Sequence, residues 1–312
     1  MNSMKRLLVT GGSGFLGAEV VHVAGAVPVD VVATHHARRE NAFAAPPSAV
    51  EWLYLELRDP VSVAEIVERT RPDAIINTAY AATGDARIAL ADGAFELATA
   101  TAARGIRLVH VSTDVVFEGA LAPGRAYRES DPAAPVHAYG REKRAAEQAI
   151  SAADPAAVIV RTSLLYAGDG FPRVALSKHE RVVLDATNPA MATPEGRFVF
   201  FTDEWRSPLQ VTDLAHALLE VAGVASASPA AASLCGPLHV AGPDRVSRFE
   251  FAELVAIAHR RDPEQLIGEP VPIAGPPRPR NCTLDLTRAR AVLVTPLRGV
   301  RAVLGAVLRR AV

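Results

Sequence analysis

Three glycines near the amino terminus constrain the fold of this chain more than any other feature. Gly11, Gly14 and Gly17 follow the apolar run 6–9 and precede the apolar stretch 18–23. The run predicts a buried strand and the stretch predicts a helix, so the glycines lie in the turn between them. Glycines in such a turn permit a tight bend, let a pyrophosphate approach the backbone and let helix and strand pack closely. The sequence therefore predicts a dinucleotide site, although the spacing is Gly-x-x-Gly-x-x-Gly rather than Gly-x-Gly-x-x-Gly.

Strand-like and helix-like segments alternate through the first half of the chain. The strand-like runs are 6–9, 29–33, 74–77, 108–111 and 158–161. The helix-like stretches between them are 18–24, 61–71, 87–104 and 139–153. Continuous apolar strands separated by helices predict an α/β fold, a Rossmann-type doubly wound parallel sheet covered on both faces. Such sheets bind their ligands at the carboxyl ends of the strands.

The composition excludes several classes of protein. The 312 residues are 49% hydrophobic and carry a net charge of −1, which allows a sizeable core and argues against nucleic acid as a partner. No apolar run reaches the length that spans a membrane, and the first strand begins too early for a signal peptide. Cys235 and Cys282 are far apart and lack metal-ligand spacing. We therefore expect a cytoplasmic protein without a disulfide framework, a metal site or a membrane contact.

The residues after the second strand bear on which dinucleotide binds. In NAD sites an acid about twenty residues beyond the glycines binds the ribose 2′-hydroxyl. Here Arg38 and Arg39 occupy that place, while Asp30 lies at the start of the strand, far from its end, and Glu40 comes after the arginines. Guanidinium groups grip a 2′-phosphate that a carboxylate would repel, so NADP is the predicted cofactor, although such arginines can also be merely solvated. Leu57, after the third strand, is a weaker candidate for the adenine.

The regular alternation ends near residue 166, where prolines interrupt the pattern. We expect residues 1–165 to form an NADP-binding Rossmann domain, to which segments near 209–242 return. Residues 166–208 and 243–312 are expected to form a smaller, interleaved C-terminal lobe that binds the substrate.

A hydroxyl, a phenol and an amine follow the later strands. Thr113 comes directly after the strand 108–111 and Ser112, and Tyr139 and Lys143 open a helix four residues apart. Residues four apart share a helix face, so the ammonium can lower the pKa of the phenol. Such a tyrosine can protonate a carbonyl oxygen during reduction, and Thr113 can hydrogen-bond the same oxygen. A bare Tyr-x-x-x-Lys is a weak signal, and its order after the glycine turn and the Ser-Thr pair strengthens it.

These motifs together resemble an extended short-chain dehydrogenase/reductase. More narrowly, the chain is similar to the dTDP-4-dehydrorhamnose reductase (sugar nucleotide-binding) family. The segments that carry this resemblance are 10–17, 109–119, 129–135, 139–143, 161–163, 202–208, 239–242 and 278–285. The stretch 81–87 is shorter than in typical members of that family, which leaves the identity of the substrate open.

The resemblance implies NADPH-dependent reduction of a keto group on a nucleotide-linked deoxysugar. A homodimer is the assembly considered, although the sequence does not determine the oligomeric state. It implies Tyr139 as proton donor, Lys143 as tuner of its pKa and ribose anchor, and Thr113 as the group that orients the carbonyl. The cofactor-binding candidates are Gly11, Ser13, Gly14, Phe15, Leu16, Gly17, Arg38, Arg39, Leu57, Ala79, Tyr80 and Lys143. The substrate-binding candidates are Trp205, Arg206 and Arg278.

Two alternatives stay open. Another extended short-chain dehydrogenase/reductase, an epimerase or a reductase of a different substrate, shares the same core motifs. Val115 stands where a dehydratase needs a glutamate, and the acid that holds NAD in epimerases is missing. A non-catalytic NADP-binding regulatory subunit has the same fold, and the intact Thr113, Tyr139 and Lys143 argue against it.

Overall fold

The computed structural model describes residues 4–36, 50–79, 88–168, 176–188, 198–225 and 229–310. Arg38, Arg39, Tyr80 and the shortened stretch 81–87 lie outside the described residues.

Among the described residues, the strands fall into one large sheet and three short pairs. In chain order they are β1 (Lys5–Thr10), β2 (Val29–His35), β3 (Glu51–Tyr54), β4 (Ala74–Asn77), β5 (Arg107–Thr113), β6 (Val158–Thr162), β7 (Leu165–Tyr166), β8 (Val199–Phe201), β9 (Trp205–Arg206), β10 (Leu209–Gln210), β11 (Gly236–His239), β12 (Val246–Ser247) and β13 (Ile267–Glu269).

The helices cover both faces of that sheet and build the smaller lobe. They are α1 (Phe15–Ala24), α2 (Pro60–Thr70), α3 (Ile88–Ala102), α4 (Ala138–Ala153), α5 (Lys178–Ala186), α6 (Val211–Val221), α7 (Pro229–Ala232), α8 (Arg248–Ala258), α9 (Thr287–Val292) and α10 (Val300–Arg310). Among the described residues, none of these helices is long and apolar enough to cross a bilayer.

The large sheet has the order β11-β6-β5-β4-β1-β2-β3, and all of its strands run parallel. This confirms the doubly wound Rossmann-type architecture. The strand order reverses between β1 and β4, because β2 lies on one side of β1 and β4 on the other. In such sheets the crevice at this switch point is the ligand-binding position.

Alternate residues of the strands enter two different cores, which explains why the runs are apolar throughout. Leu7 and Ile76 pack with α1 and α6 on one face, whereas Leu8 and Ile75 pack with α2, α3 and α4 on the other. Both faces are buried, so a strand with polar residues on either side would lose this packing.

The smaller lobe has an apolar core of its own. Tyr166, Phe200, Phe251 and Val303 are buried in it, contributed by β7, β8, α8 and α10. The strand β11 belongs to the large sheet, where it pairs with β6, although it follows most of the lobe's first segment in the chain. The chain therefore crosses between the two cores several times, and residues of both regions line one cleft.

Candidate active site

A cleft of about 1310 Å³ runs along the carboxyl ends of β1, β4 and β5. The glycine turn, residues of α5, the start of α8 and residues 276–279 all line it. Among the candidates from the sequence, the lining includes Gly11, Ser13, Gly14, Phe15, Leu16, Gly17, Leu57, Ala79, Thr113, Tyr139, Lys143, Arg206 and Arg278.

The glycine turn presents an uncapped helix start to this cleft. The Gly14 amide donates to the Gly11 carbonyl at 2.9 Å, and no side chain caps the first amides of α1. A Cβ on Gly17 would lie 2.2 Å from the Gly11 oxygen, so only glycine lets α1 approach the turn this closely. Free amides and the positive end of a helix dipole suit a pyrophosphate.

A charged cluster lies where the sequence places the adenosine. Glu56, beyond β3, accepts a hydrogen bond from Arg58 Nη2 at 2.6 Å, and its other partner, His36 Nε2, lies at 2.9 Å. The Arg58 guanidinium lowers the pKa of Glu56 to about 2. The sequence indicated no acid at the end of the second strand, but the fold brings one there from the third.

The start of α4 is fixed against the turn that follows β5. His137 Nδ1 accepts a hydrogen bond from the Gly140 amide at 3.0 Å and so caps the helix. A Cβ on Gly140 would lie 2.2 Å from the Val115 carbonyl oxygen. This close approach brings the helix that carries Tyr139 to the turn that carries Thr113, and both side chains line the cleft.

Lys143 lies one turn further along α4 and is held by the backbone of β5. Its Nζ donates to the Val111 carbonyl at 3.0 Å. Burial lowers the pKa of Lys143 to about 8, and the negative charge of Glu147 opposes that shift. The ammonium is therefore charged at neutral pH and close to losing its proton in mildly alkaline solution.

Glu147, four residues after Lys143, is a buried acid that the sequence analysis overlooked. Its carboxylate accepts from Ser112 Oγ at 2.6 Å, from Arg161 Nη2 at 2.7 Å and from Arg144 Nη1 at 3.0 Å. These donors hold the pKa of Glu147 below its usual value, in spite of burial that raises it. The i, i+4 spacing to Lys143 was a signal that could have identified this residue.

Arg206 lines the cleft, but its guanidinium is engaged within the protein. It is 4% exposed, and it donates to Glu204 Oε1 at 3.0 Å and to the Trp205 carbonyl at 2.8 Å. Its Nε lies 3.8 Å from Asp114 Oδ2. Arg278 shares the same acid, since its Nε donates to Glu204 Oε2 at 2.9 Å.

Of the three substrate-binding candidates, Arg206 and Arg278 line the cleft, whereas Trp205 is not in the lining. Its ring lies 3.6 Å beneath the Arg245 guanidinium in a cation–π contact. The indole thus supports the strand β9, next to Arg206, rather than facing a ligand directly.

Two helices of the smaller lobe begin with a basic residue at the cleft. Lys178 opens α5 after Ser177, and Arg248 opens α8 after Ser247, and both basic side chains are in the lining. A cation at a helix N-terminus is unfavourable by itself, because it meets the positive end of the dipole. Both helices begin with the pattern Ser-x-x-Glu, a capping-box signature that the sequence analysis did not use.

The Arg248 side chain lies at the cleft beside a neutral imidazole. Its Nη2 lies 3.4 Å from His179 Nδ1, and burial lowers the pKa of His179 to about 3, so that imidazole is neutral. Within the described part of the chain, no carboxylate forms an ion pair with Arg248 or Lys178. Burial lowers the pKa of Arg248 to about 10, which leaves the guanidinium charged at neutral pH.

No group of three or more His, Cys, Asp or Glu side chains that could hold a metal ion occurs among the described residues.

Comparison with known proteins places the chain in a family. Residues 4–312 match the family described as RmlD substrate binding domain. The chain belongs to this family. It is 33% identical to a dTDP-4-dehydrorhamnose reductase of Mycobacterium tuberculosis over 97% of this chain and 92% of that protein. It is 27% identical to the methionine adenosyltransferase 2 subunit beta of Bos taurus, over 94% of this chain and 85% of that subunit.

A solved structure of similar fold confirms the architecture of this chain. The structure of a dTDP-4-dehydrorhamnose reductase from Bacillus anthracis in complex with NADP superposes with a TM-score of 0.70. It is 23% identical and covers 99% of this chain and all of its own length. The resemblance inferred from the sequence motifs is therefore confirmed at the level of fold and family.

Proposed function

We propose that this protein is an NADPH-dependent reductase of a keto group on a nucleotide-linked deoxysugar, of the dTDP-4-dehydrorhamnose reductase kind. One observation carries the proposal: Thr113, Tyr139 and Lys143 line the same cleft as the glycine turn. A dinucleotide seated on that turn, with its nicotinamide towards β5, would meet all three groups. The similarity to the mycobacterial reductase over nearly the whole chain supports the same activity.

The turn and α1 fit the pyrophosphate of NADPH, because the amides at the start of α1 have no side-chain cap. When bound, NADPH supplies a hydride. Lys143 holds the nicotinamide ribose with its ammonium and stabilises the phenolate that Tyr139 becomes on giving its proton to the substrate oxygen. Thr113 orients that oxygen by a hydrogen bond.

The preference for NADPH over NADH rests on the basic residues near the adenosine. Arg38 and Arg39 remain the predicted partners of the 2′-phosphate. Glu56, which would repel that phosphate, is neutralised locally by Arg58. Replacement of Arg38 by Ala is expected to weaken NADPH binding and leave NADH binding unchanged, as measured by fluorescence titration of both nucleotides.

The basic residues that the smaller lobe contributes to the cleft suit the diphosphate of a nucleotide sugar. Arg248, Lys178 and Arg181 line it, together with Arg278. Two helix N-termini add positive potential there, and Arg248 and Lys178 have no carboxylate ion pair among the described residues. Guanidinium groups bind phosphates in a bidentate manner, so we assign Arg248 as a diphosphate partner. Arg206 and Arg278, which both pair with Glu204, stay the substrate-binding residues predicted from the sequence.

The experiment that tests the function follows NADPH oxidation with a panel of 4-keto nucleotide sugars. Turnover on one of them, lost in Tyr139→Phe while NADPH affinity is kept, is the expected result. Tight NADPH binding with no turnover on any of them would instead support a non-catalytic regulatory subunit. Turnover with a substrate of another class would point to a different member of the superfamily.

Three further expectations belong to this proposal. Residues 1–165 with segments near 209–242 bind NADP, and 166–208 with 243–312 bind the sugar nucleotide. The protein is expected to be a cytoplasmic homodimer, which light scattering of the purified protein and fractionation of the source cell would test.

A further inference from the structure

The Thr113 hydroxyl lies within hydrogen-bond distance of the buried carboxyl group of Asp114, the next residue in the chain. Thr113 Oγ1 and Asp114 Oδ1 are 3.2 Å apart, and Thr113 Oγ1 also accepts from the Val115 amide at 3.4 Å. If Asp114 is ionised, the Thr113 proton must point to it, because a carboxylate can only accept. Thr113 then has no proton to offer a substrate carbonyl.

The surroundings of Asp114 decide which of its oxygens can carry a proton. Ser163 Oγ accepts from the Ser207 amide at 3.2 Å, so its own proton goes to Asp114 Oδ2, at 2.6 Å. The Arg206 Nε lies 3.8 Å from the same oxygen. Two donors thus face Oδ2, and a proton on this carboxyl is placed on Oδ1, facing Thr113.

We propose that Asp114 is a positioning residue whose protonated Oδ1 donates to Thr113, so that the Thr113 hydroxyl turns its proton towards the substrate oxygen. The inference rests on the proposed reductase function. Asp114 is 3% exposed. Burial raises the pKa of this carboxyl, and Glu204 raises it further, whereas Arg206, Ser163 and Thr113 lower it. Arg248 and the Cys282 thiol, in the described part of the chain, also interact with Asp114 electrostatically.

The catalytic test compares two variants that differ in hydrogen bonding at the same site. Asp114→Asn keeps an oxygen for Ser163 and places an N–H towards Thr113, so kcat should stay within about threefold of wild type. Asp114→Ala removes the donor, and kcat should fall about 100-fold while KM and NADPH affinity are kept. In a Thr113→Val background, Asp114→Ala should have no further effect on kcat, because Asp114 acts through Thr113.

An anchoring role would give another pattern. If Asp114 serves only to neutralise Arg206, Asn and Ala would impair kcat alike, and the effect of Ala would persist in the Thr113→Val background. That result overturns the proposal. Thermal melting of each variant shows whether loss of activity is loss of fold.

A second measurement needs no substrate. In protein carrying carboxyl-labelled aspartate, the ¹³C signal that disappears in Asp114→Asn belongs to Asp114. We expect the chemical shift of this signal at pH 7 to be that of a protonated carboxyl. In Ser163→Ala the apparent pKa of Asp114, followed by the same signal, should be higher, because the charged form loses a hydrogen-bond donor. A carboxylate signal at pH 7 overturns the proposal even if the protein is an active reductase. A protonated carboxyl in a protein without reductase turnover would refute the proposed function while leaving the hydrogen-bond arrangement intact.

Discussion

The ammonium of Lys143 donates a hydrogen bond to the carbonyl oxygen of Val111, two residues before Thr113 in β5. This contact ties the helix that carries Tyr139 to the strand that carries Thr113. It also holds a charge in a desolvated position, since burial lowers the pKa of Lys143 to about 8 from 10.5. The Lys143 ammonium, which the proposed reduction needs, is therefore a charge whose burial costs the folded protein stability.

Replacement of Lys143 by Met should stabilise the protein while abolishing turnover. The unfolded chain holds the Lys143 proton up to about pH 10.5 and the folded chain only to about 8, so the charge opposes folding below pH 8. We expect about 2 kcal/mol more unfolding free energy in urea at pH 7, after the lost Val111 hydrogen bond is counted. The gain should shrink between pH 8 and 10.5, and Lys143→Arg should show none. A gain independent of pH would indicate better packing instead.

Replacement of Gly140 by Ala should disturb the active site, although alanine is the better helix former. The added Cβ would lie 2.2 Å from the Val115 oxygen, so α4 must move away from the turn after Thr113. We expect a loss of about 2 kcal/mol or more in stability and a fall in kcat. Gly305→Ala in α10 is the matched control, since a Cβ there meets nothing within 4 Å, and should be neutral or stabilising. Equal effects of the two substitutions on stability and kcat would contradict this account.

Replacement of Arg248 by Gln should weaken the binding of the sugar nucleotide and leave the binding of the cofactor unchanged. Loss of one desolvated guanidinium from an anion site is expected to raise KM about 10- to 100-fold, with NADPH affinity unchanged. Arg104→Gln is the control, because Arg104 lies on the exposed surface of the sheet's helical layer, paired with Glu68. Steady-state kinetics at fixed NADPH measures both. An unchanged KM in Arg248→Gln would remove this residue from the substrate site.

Replacement of Glu56 by Gln should strengthen NADPH binding selectively. With its pKa near 2, Glu56 is ionised at any working pH and occupies the donors of Arg58. Its neutralisation releases Arg58 towards a 2′-phosphate and removes a repelling charge, so NADPH should bind about threefold or more tightly. NADH affinity should stay the same. Tighter binding of both nucleotides would mean that Glu56 acts on the adenosine as a whole.

Several predictions from the sequence hold because they depend on neighbours in the chain. The five apolar runs became strands of the large sheet, namely β1, β2, β4, β5 and β6. The helix that was predicted to carry Tyr139 and Lys143 is α4, and the two residues lie one turn apart on it. Strand periodicity, helix periodicity and glycine turns are all readable within a window of a few residues.

The sequence by itself thus determined the Rossmann architecture, the glycine turn, and the cleft-lining set of Thr113, Tyr139 and Lys143. Only the tertiary structure decided which charges face a ligand. It engaged Arg206 with Glu204, brought Glu56 to the end of the second strand, and set the starts of α5 and α8 at the same cleft. The physical reason is that the role of a charged side chain depends on which groups lie next to it in the folded protein. Lys178 and Arg248 are seventy residues apart in the chain, and no local pattern records that they line one cavity.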